Sequence, residues 1–128
     1  MKRILLFLMV TFCCINIHAQ DKVQWFETQA IDFKTATYDS GWTQCDKIKG
    51  YIDYTTQHIE LYSKSDQVFD YTSAENSADE SYEYVTMHAT DVSNGNIIIV
   101  FCRSKQTGNV FLSITYADCF YMYKIKWL

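Results

Sequence analysis

From Cys119 to the end of the chain, every second residue is Tyr121, Tyr123, Ile125 and Trp127, with Phe120, Met122, Lys124 and Lys126 between them. This alternation is the strongest constraint in the sequence. A period of two puts successive side chains on opposite faces of an extended strand. The same period recurs in "IKGYIDY", "HIELYS", "QVFDY", "YEYVTMHAT" and "NVFLSITY", all rich in Ile, Val, Tyr and Phe. Half-buried strands have this signature, and no segment carries an i, i+3, i+4, i+7 apolar stripe with a cap that would argue for a helix. Between the segments stand "YTTQH", "SKSDQ", "DVSNGN", "SKQTGN" and "YADCF", which punctuate them as hairpins. The chain reads as all-β.

Hairpin phasing tests whether the apolar faces agree, because a one-residue slip turns every side chain to the other face. A two-residue turn at Thr56-Gln57 pairs Tyr54 with Ile59 and Ile52 with Leu61. A three-residue loop from Lys64 to Asp66 pairs Leu61 with Phe69 and Ile59 with Tyr71. With Ser93-Asn94-Gly95 as a loop and Gly95 left-handed, Ala89 meets Ile99 and Met87 meets Phe101. A loop from Lys105 to Gly108 sets Phe101 against Leu112, Ile99 against Ile114 and Ile97 against Tyr116. A tight turn at Ala117-Asp118 then sets Ile114 against Tyr121, Leu112 against Tyr123 and Val110 against Ile125. Ile52, Leu61, Met87, Ile99, Ile114 and Tyr121 are thus predicted to share one interior.

With "QAIDFKTATY" ahead of these six segments and the apolar run 97–102 among them, about eight antiparallel strands follow one another through short connections, apart from the polar excursion "TSAENSADES". The simplest closure is an up-and-down meander barrel, which leaves no edge strand. A two-sheet sandwich is the alternative. Residues 97–102 are apolar on both faces, so the outer face needs a cover, either the N-terminal "VQWFE" or a partner.

The chain opens MKRILLFLMVTFCCINIHAQ. Lys2 and Arg3, the short apolar run from Ile4 to Ile15 and the small Ala19 before Gln20 have the order of a secretory signal. The run is too short for a membrane span, which takes about 20 residues. Phe12 and Cys13 are poor residues ahead of a lipidated cysteine. The expected division is a signal peptide over 1–19 and one domain over 20–128, in the periplasm or outside the cell. That domain keeps nine basic against fifteen acidic side chains, a net of −6. An acidic chain without a basic stripe argues against nucleic acid.

Cys45, Cys102 and Cys119 remain, an odd number in a compartment that permits disulfides. Strand direction puts Cys45 and Cys119 at one end of the barrel and Cys102 at the other. Either Cys45 and Cys119 bridge across the first strand, or all three thiols stay reduced and largely buried.

In length, strand count, meander order and secretion the chain resembles the calycins, the lipocalin and fatty-acid-binding group. The lipocalin signature sets a glycine and a tryptophan one residue apart near the first strand; here Gly41 and Trp42 are adjacent in "DSGWTQC". The chain is also similar to small secreted proteins of Gram-negative bacteria. The resemblance implies the fold and carries over no functional residue.

Candidate chemistry is sparse. His88, near Asp91, stands on the predicted outer face, and no serine or cysteine sits in a nucleophile turn. His58 starts a strand beside a turn and reads as a surface histidine. Asp70, Glu75, Asp79, Glu80 and Glu83 crowd one segment but lack the EF-hand pattern, so they read as a solvated acidic loop. No metal, cofactor or enzymatic activity is expected. An eight-stranded barrel is either filled or holds one small ligand. Gly50, Ser63 and Ala89 are small inward residues that would leave a void. Tyr54, Tyr71, Tyr116, Tyr121 and Tyr123 would line it, and buried phenols need hydrogen-bond partners. The expected function is non-enzymatic binding of a small, partly apolar ligand. The alternative is a filled barrel that meets a protein or glycan partner through the outer tyrosines Tyr51, Tyr62, Tyr82 and Tyr84, near Trp42.

Overall fold

The computed structural model describes residues 23–63 and 66–128. The expected signal segment lies outside them. Nine strands follow in order: β1 (Val23–Thr35), β2 (Thr43–Gln44), β3 (Lys49–Asp53), β4 (His58–Leu61), β5 (Gln67–Ala78), β6 (Tyr82–Asp91), β7 (Asn96–Ser104), β8 (Val110–Thr115) and β9 (Cys119–Trp127). All pairings are antiparallel. β2 is a short flank on β1; the other eight form a meander, and β9 returns to pair with β1. The barrel is closed, as the alternation predicts.

The long first strand makes the closure. Its start, Val23–Glu27, pairs with β3, and its run from Phe26 to Thr35 pairs with β9. A bulge between Thr28 and Ala30 lets Phe26 and Ile31 both pack with the core although their positions differ in parity. β1 therefore begins at "VQWFE", the segment expected to cover β7. Trp25 points out and Phe26 points in. The outer face of β7 keeps Ile98 41% exposed, with Val100 and Cys102 half-buried.

Ile52, Leu61, Met87, Ile99 and Ile114 are fully buried in one cluster, and Tyr121 packs against its upper edge. Ten or so side chains of this size removed from water supply most of the stability of such a domain, at about 2 kcal/mol each.

Three registers differ from the expected ones, each by two residues. Ile52 pairs with Ile59, Ile59 with Phe69, and Met87 with Ile99. The cause is visible at two of the turns. Asp53 Oδ1 accepts from the Thr55 and Thr56 amides at 2.9 and 3.1 Å, which makes the loop four residues long with Gln57 left-handed at φ 59°. Asp91 Oδ1 likewise accepts from Ser93 and Gly95 at 3.0 Å each, and Asn94, not Gly95, takes the left-handed turn at φ 61°. An aspartate at a strand end offers the backbone an acceptor and favours the longer turn. The last two hairpins match the expected registers, with Phe101 opposite Leu112 and Ile114 opposite Tyr121.

The polar excursion is not a loop. β5 runs on to Ala78 and pairs with β6 as far as Glu83, so "TSAENSA" is a solvent-facing ribbon. Asp79 closes it, accepting from the Ser81 and Tyr82 amides and from the Tyr84 hydroxyl. Gly50 does not leave a void. A Cβ there would lie 2.6 Å from Phe26 Cζ and 2.7 Å from the Glu60 carbonyl oxygen, so the glycine admits the Phe26 ring. Gly50→Ala should destabilise the fold by about 1–3 kcal/mol in urea denaturation. Adding Phe26→Leu should recover part of that loss, because the ring contact goes and the backbone contact stays.

Candidate functional site

The lower barrel is filled, and its mouth is a cup. A cavity of ≈ 760 Å³ opens where β1, β5 and β9 meet the segment 45–48 and Tyr116, just past β8. Its apolar wall includes Ile31, Ile48, Val68 and Phe69; its polar groups include Gln67, Ser63 and three phenols, Tyr116, Tyr121 and Tyr123.

Thr28 builds one rim. It is fully buried at the bulge of β1, and its Oγ1 accepts from the Ile48 amide at 3.0 Å and donates to the Asp46 carbonyl at 3.2 Å. Its own amide donates to the Ile48 carbonyl at 2.8 Å. These bonds hold residues 45–48 against β1 where β3 has ended.

Gln67 ties the opposite rim together. The Tyr116 hydroxyl donates to Gln67 Oε1 at 3.0 Å, and Gln67 Nε2 donates to the Tyr123 hydroxyl at 3.1 Å. Tyr121 and Tyr123 lie near-parallel with centroids 6.3 Å apart, and Tyr116 meets Tyr121 edge-on at 5.8 Å. Burial raises the Tyr116 phenol well above its ordinary value, with Tyr121, Tyr123 and Asp91 adding to the rise. Burial likewise raises Tyr121, and raises Tyr123 against the opposing hydrogen bond from Gln67. All three phenols therefore stay neutral O–H groups near neutral pH.

Of the five tyrosines expected to line a pocket, these three come together. Tyr71 is sealed in the core at 3% exposure, beside the β3–β4 turn, where burial and then Asp53 push its phenol up to about 12. Tyr54 packs half-buried on the core just past β3. Neither lines the cup. Of the three expected small residues, Ser63 lines it, whereas Ala89 is buried at 5% exposure with the core and Gly50 is packed. Sequence reading missed Gln67. Its signal was parity: Gln67 shares the inward register of Phe69 and Tyr71, a polar residue on an apolar face.

Cys45, Cys102 and Cys119 are free thiols. Cys45 lines the cup and reaches Thr28 Oγ1 at 3.6 Å. The expected Cys45–Cys119 bridge does not form. Gln44 pairs with Ala30 on one side of β1 and Cys119 with Thr35 on the other. Five residues along a strand is about 16 Å, beyond the reach of a disulfide.

The outer tyrosines separate into two groups. Tyr51 and Tyr62 join Trp25 on the outer wall of β1 and β3, with Trp25 5.0 Å from Tyr51 and 6.3 Å from Tyr62, and Tyr62 also reaches the lining of the cup. Tyr82 and Tyr84 pair with each other on β6 at 6.1 Å, and Trp42 lies over Phe111 at 5.9 Å. His88 stands exposed beside a separate hollow of ≈ 400 Å³ with Thr72, Ile98 and Thr115. Among the described residues no group of three His, Cys, Asp or Glu is arranged to hold a metal ion.

His58 is more than a surface histidine. Its Nδ1 lies 2.8 Å from Asp70 Oδ1 and its Nε2 3.4 Å from Glu60 Oε1, which also accepts from the Tyr51 hydroxyl at 3.1 Å. The network laces β3, β4 and β5 together.

The closed eight-stranded meander is consistent with the calycin, or lipocalin-like, architecture, and the likeness is one of architecture. No protein family matches the chain, and neither a curated protein nor a solved structure shows a significant match to it.

Thr28→Val keeps the shape of the side chain but leaves the Ile48 amide without its acceptor. It should cost about 1–3 kcal/mol in urea denaturation and loosen the rim, seen as faster amide exchange at Ile48. Burial alone pulls His58 down from its ordinary 6.5, but the hydrogen bonds and charges of Asp70 and Glu60 outweigh it and leave the value raised. A raised histidine contributes fully below about pH 6.5, and the contribution fades as pH climbs through the folded value. His58→Gln should therefore lower the urea midpoint more at about pH 6 than at about pH 8.

Proposed function

We propose that this chain is a non-enzymatic, extracytoplasmic binding protein that takes a small, partly apolar ligand into the mouth of its barrel. The observation that carries the reading is the cup of ≈ 760 Å³, walled by aliphatic and aromatic side chains and set with three phenols. Volumes of roughly 300–1,000 Å³ with an apolar lining and a few convergent polar groups are typical of small-molecule sites. The hydroxyl network supports it further. Tyr123 accepts from Gln67 and keeps its own proton to give, so the cup offers a donor where a ligand oxygen would sit. The extracytoplasmic placement rests on the signal-like order of the first 20 residues. Among the described residues no helix is long and apolar enough to cross a membrane.

A second reading has its own observation. Trp25 and Tyr62 are 41% and 46% exposed and form one outer aromatic surface with Tyr51. Such a surface suits a protein or glycan partner.

Nile red, a neutral apolar dye, separates the two. On the first reading it binds the purified protein in the micromolar range with a blue shift. Tyr121→Ala then weakens it by about five- to tenfold, a loss of about 1–1.4 kcal/mol, while Trp25→Ala leaves it unchanged. Binding that is lost with Trp25→Ala and kept with Tyr121→Ala would reverse the assignment.

A further inference from the structure

The cup carries a sign as well as a shape. Its described lining holds three carboxylates, Asp46, Asp66 and Asp91, against one cation, Lys47. Asp91 is engaged by its own loop, where Oδ1 accepts the Ser93 and Gly95 amides. Neither Asp46 nor Asp66 has an ion pair among the described residues. Tyr116, Tyr121 and Tyr123 line the same cup, and aromatic rings attract cations. The Tyr116 proton is held by Gln67 and the Gln67 amide donates to Tyr123, so the donor left over is the Tyr123 hydroxyl, a neutral group that brings no positive charge to balance an anion.

An anionic ligand such as a fatty acid would meet three carboxylates against the single Lys47 among the described lining residues. An apolar body ending in an ammonium group meets the opposite: a hydrophobic wall for the body, aromatic faces at its neck and free carboxylates at its head. Charge of one sign around a low-dielectric recess also raises the local concentration of the opposite ion.

Resting on the proposed ligand-binding reading, we infer that the cup selects small organic cations, amines on an aliphatic or aromatic body, over neutral and anionic compounds of the same shape. Asp46 and Asp66 set the charge preference, and Tyr116, Tyr121 and Tyr123 receive the adjoining apolar part. A neutral acceptor within the body, a carbonyl or an ether, would take the remaining Tyr123 proton.

Phenylbutylamine, phenylbutanol and phenylbutyrate share one body and differ in charge. Isothermal titration calorimetry of the full protein at neutral pH and low salt should give the amine an affinity about tenfold above the alcohol, with the carboxylate weakest. Salt should weaken the amine alone, because screening acts on the charge and not on the body. In Asp46→Asn/Asp66→Asn the amine-to-alcohol ratio should fall toward one, and in Lys47→Gln it should rise. The lysine variant keeps the test sound should the double variant fold poorly. Equal affinity for amine and alcohol, or tighter binding of the carboxylate, overturns the charge preference and leaves the cup as a ligand site. Failure of all three compounds to bind overturns the ligand-binding reading itself, and this inference with it.

Discussion

The pairing of the first strand with the last decides what the rest of this molecule can be. Phe26 meets Trp127 and Thr35 meets Cys119, so the two ends of the chain close the wall. From β3 onward each pairing joins neighbours in sequence through a short turn and needs little loop closure, while β1 reaches β3 across the connection that carries β2. The β1–β9 pairing brings together the most distant strands, and it converts an open sheet with two edges into a barrel with an inside. Its register also fixes the stagger. Because β1 spends its first residues on β3 and its later ones on β9, β3 stops short of the mouth. The gap is filled by residues 45–48, pinned by Thr28. The cup is a consequence of closing the barrel with one strand much longer than its neighbours.

The interior is divided by side-chain volume. Low in the barrel, Phe26, Phe69 and Phe101 with the branched aliphatics exclude water, and Gly50 exists to admit one of those rings. Phe26 and Trp127 meet edge-on at 6.0 Å, which continues the packing to the closing seam. Near the mouth the same inward parity carries Gln67, Ser63 and the phenols. A tyrosine in the deep core needs a partner for its hydroxyl, whereas one at the mouth can turn it toward water or toward Gln67. The gradient from aliphatic floor to phenolic rim follows from that cost.

Parity was legible in the sequence, and loop length was not. Each misjudged hairpin slipped by two residues, and a slip of two keeps every side chain on its face. That is why Ile52, Leu61 and Met87 were placed in the core correctly while their partners were wrong. The turns went astray because an aspartate acceptor competes with the glycine rule, as Asp91 does against Gly95. The polar ribbon after Tyr71 was missed because one apolar face is what marks a strand, and this stretch has almost none. Tyr116, Tyr121 and Tyr123 were legible because they close two correctly phased hairpins. Gln67 was not, since its meaning depends on two tyrosines roughly fifty residues away. His58 was hidden for the same reason: Asp70 becomes its neighbour only when β5 is laid beside β4.

The packed core and the polar cup therefore occupy different levels of one barrel. Substitutions in the floor act on packing and are felt by the whole fold, because the β-ladders share those side chains across every wall. The rim depends on a few hydrogen bonds through Thr28 and Gln67, so it can change its polar groups without emptying the core. His58 braces β3, β4 and β5 from outside at the start of β4, the end of that strand away from Ser63. A barrel filled below and braced from outside can hold phenols and carboxylates at its mouth in fixed positions. Fixed groups lose little entropy when something binds between them, which is the physical advantage the proposed binding reading would draw from this arrangement.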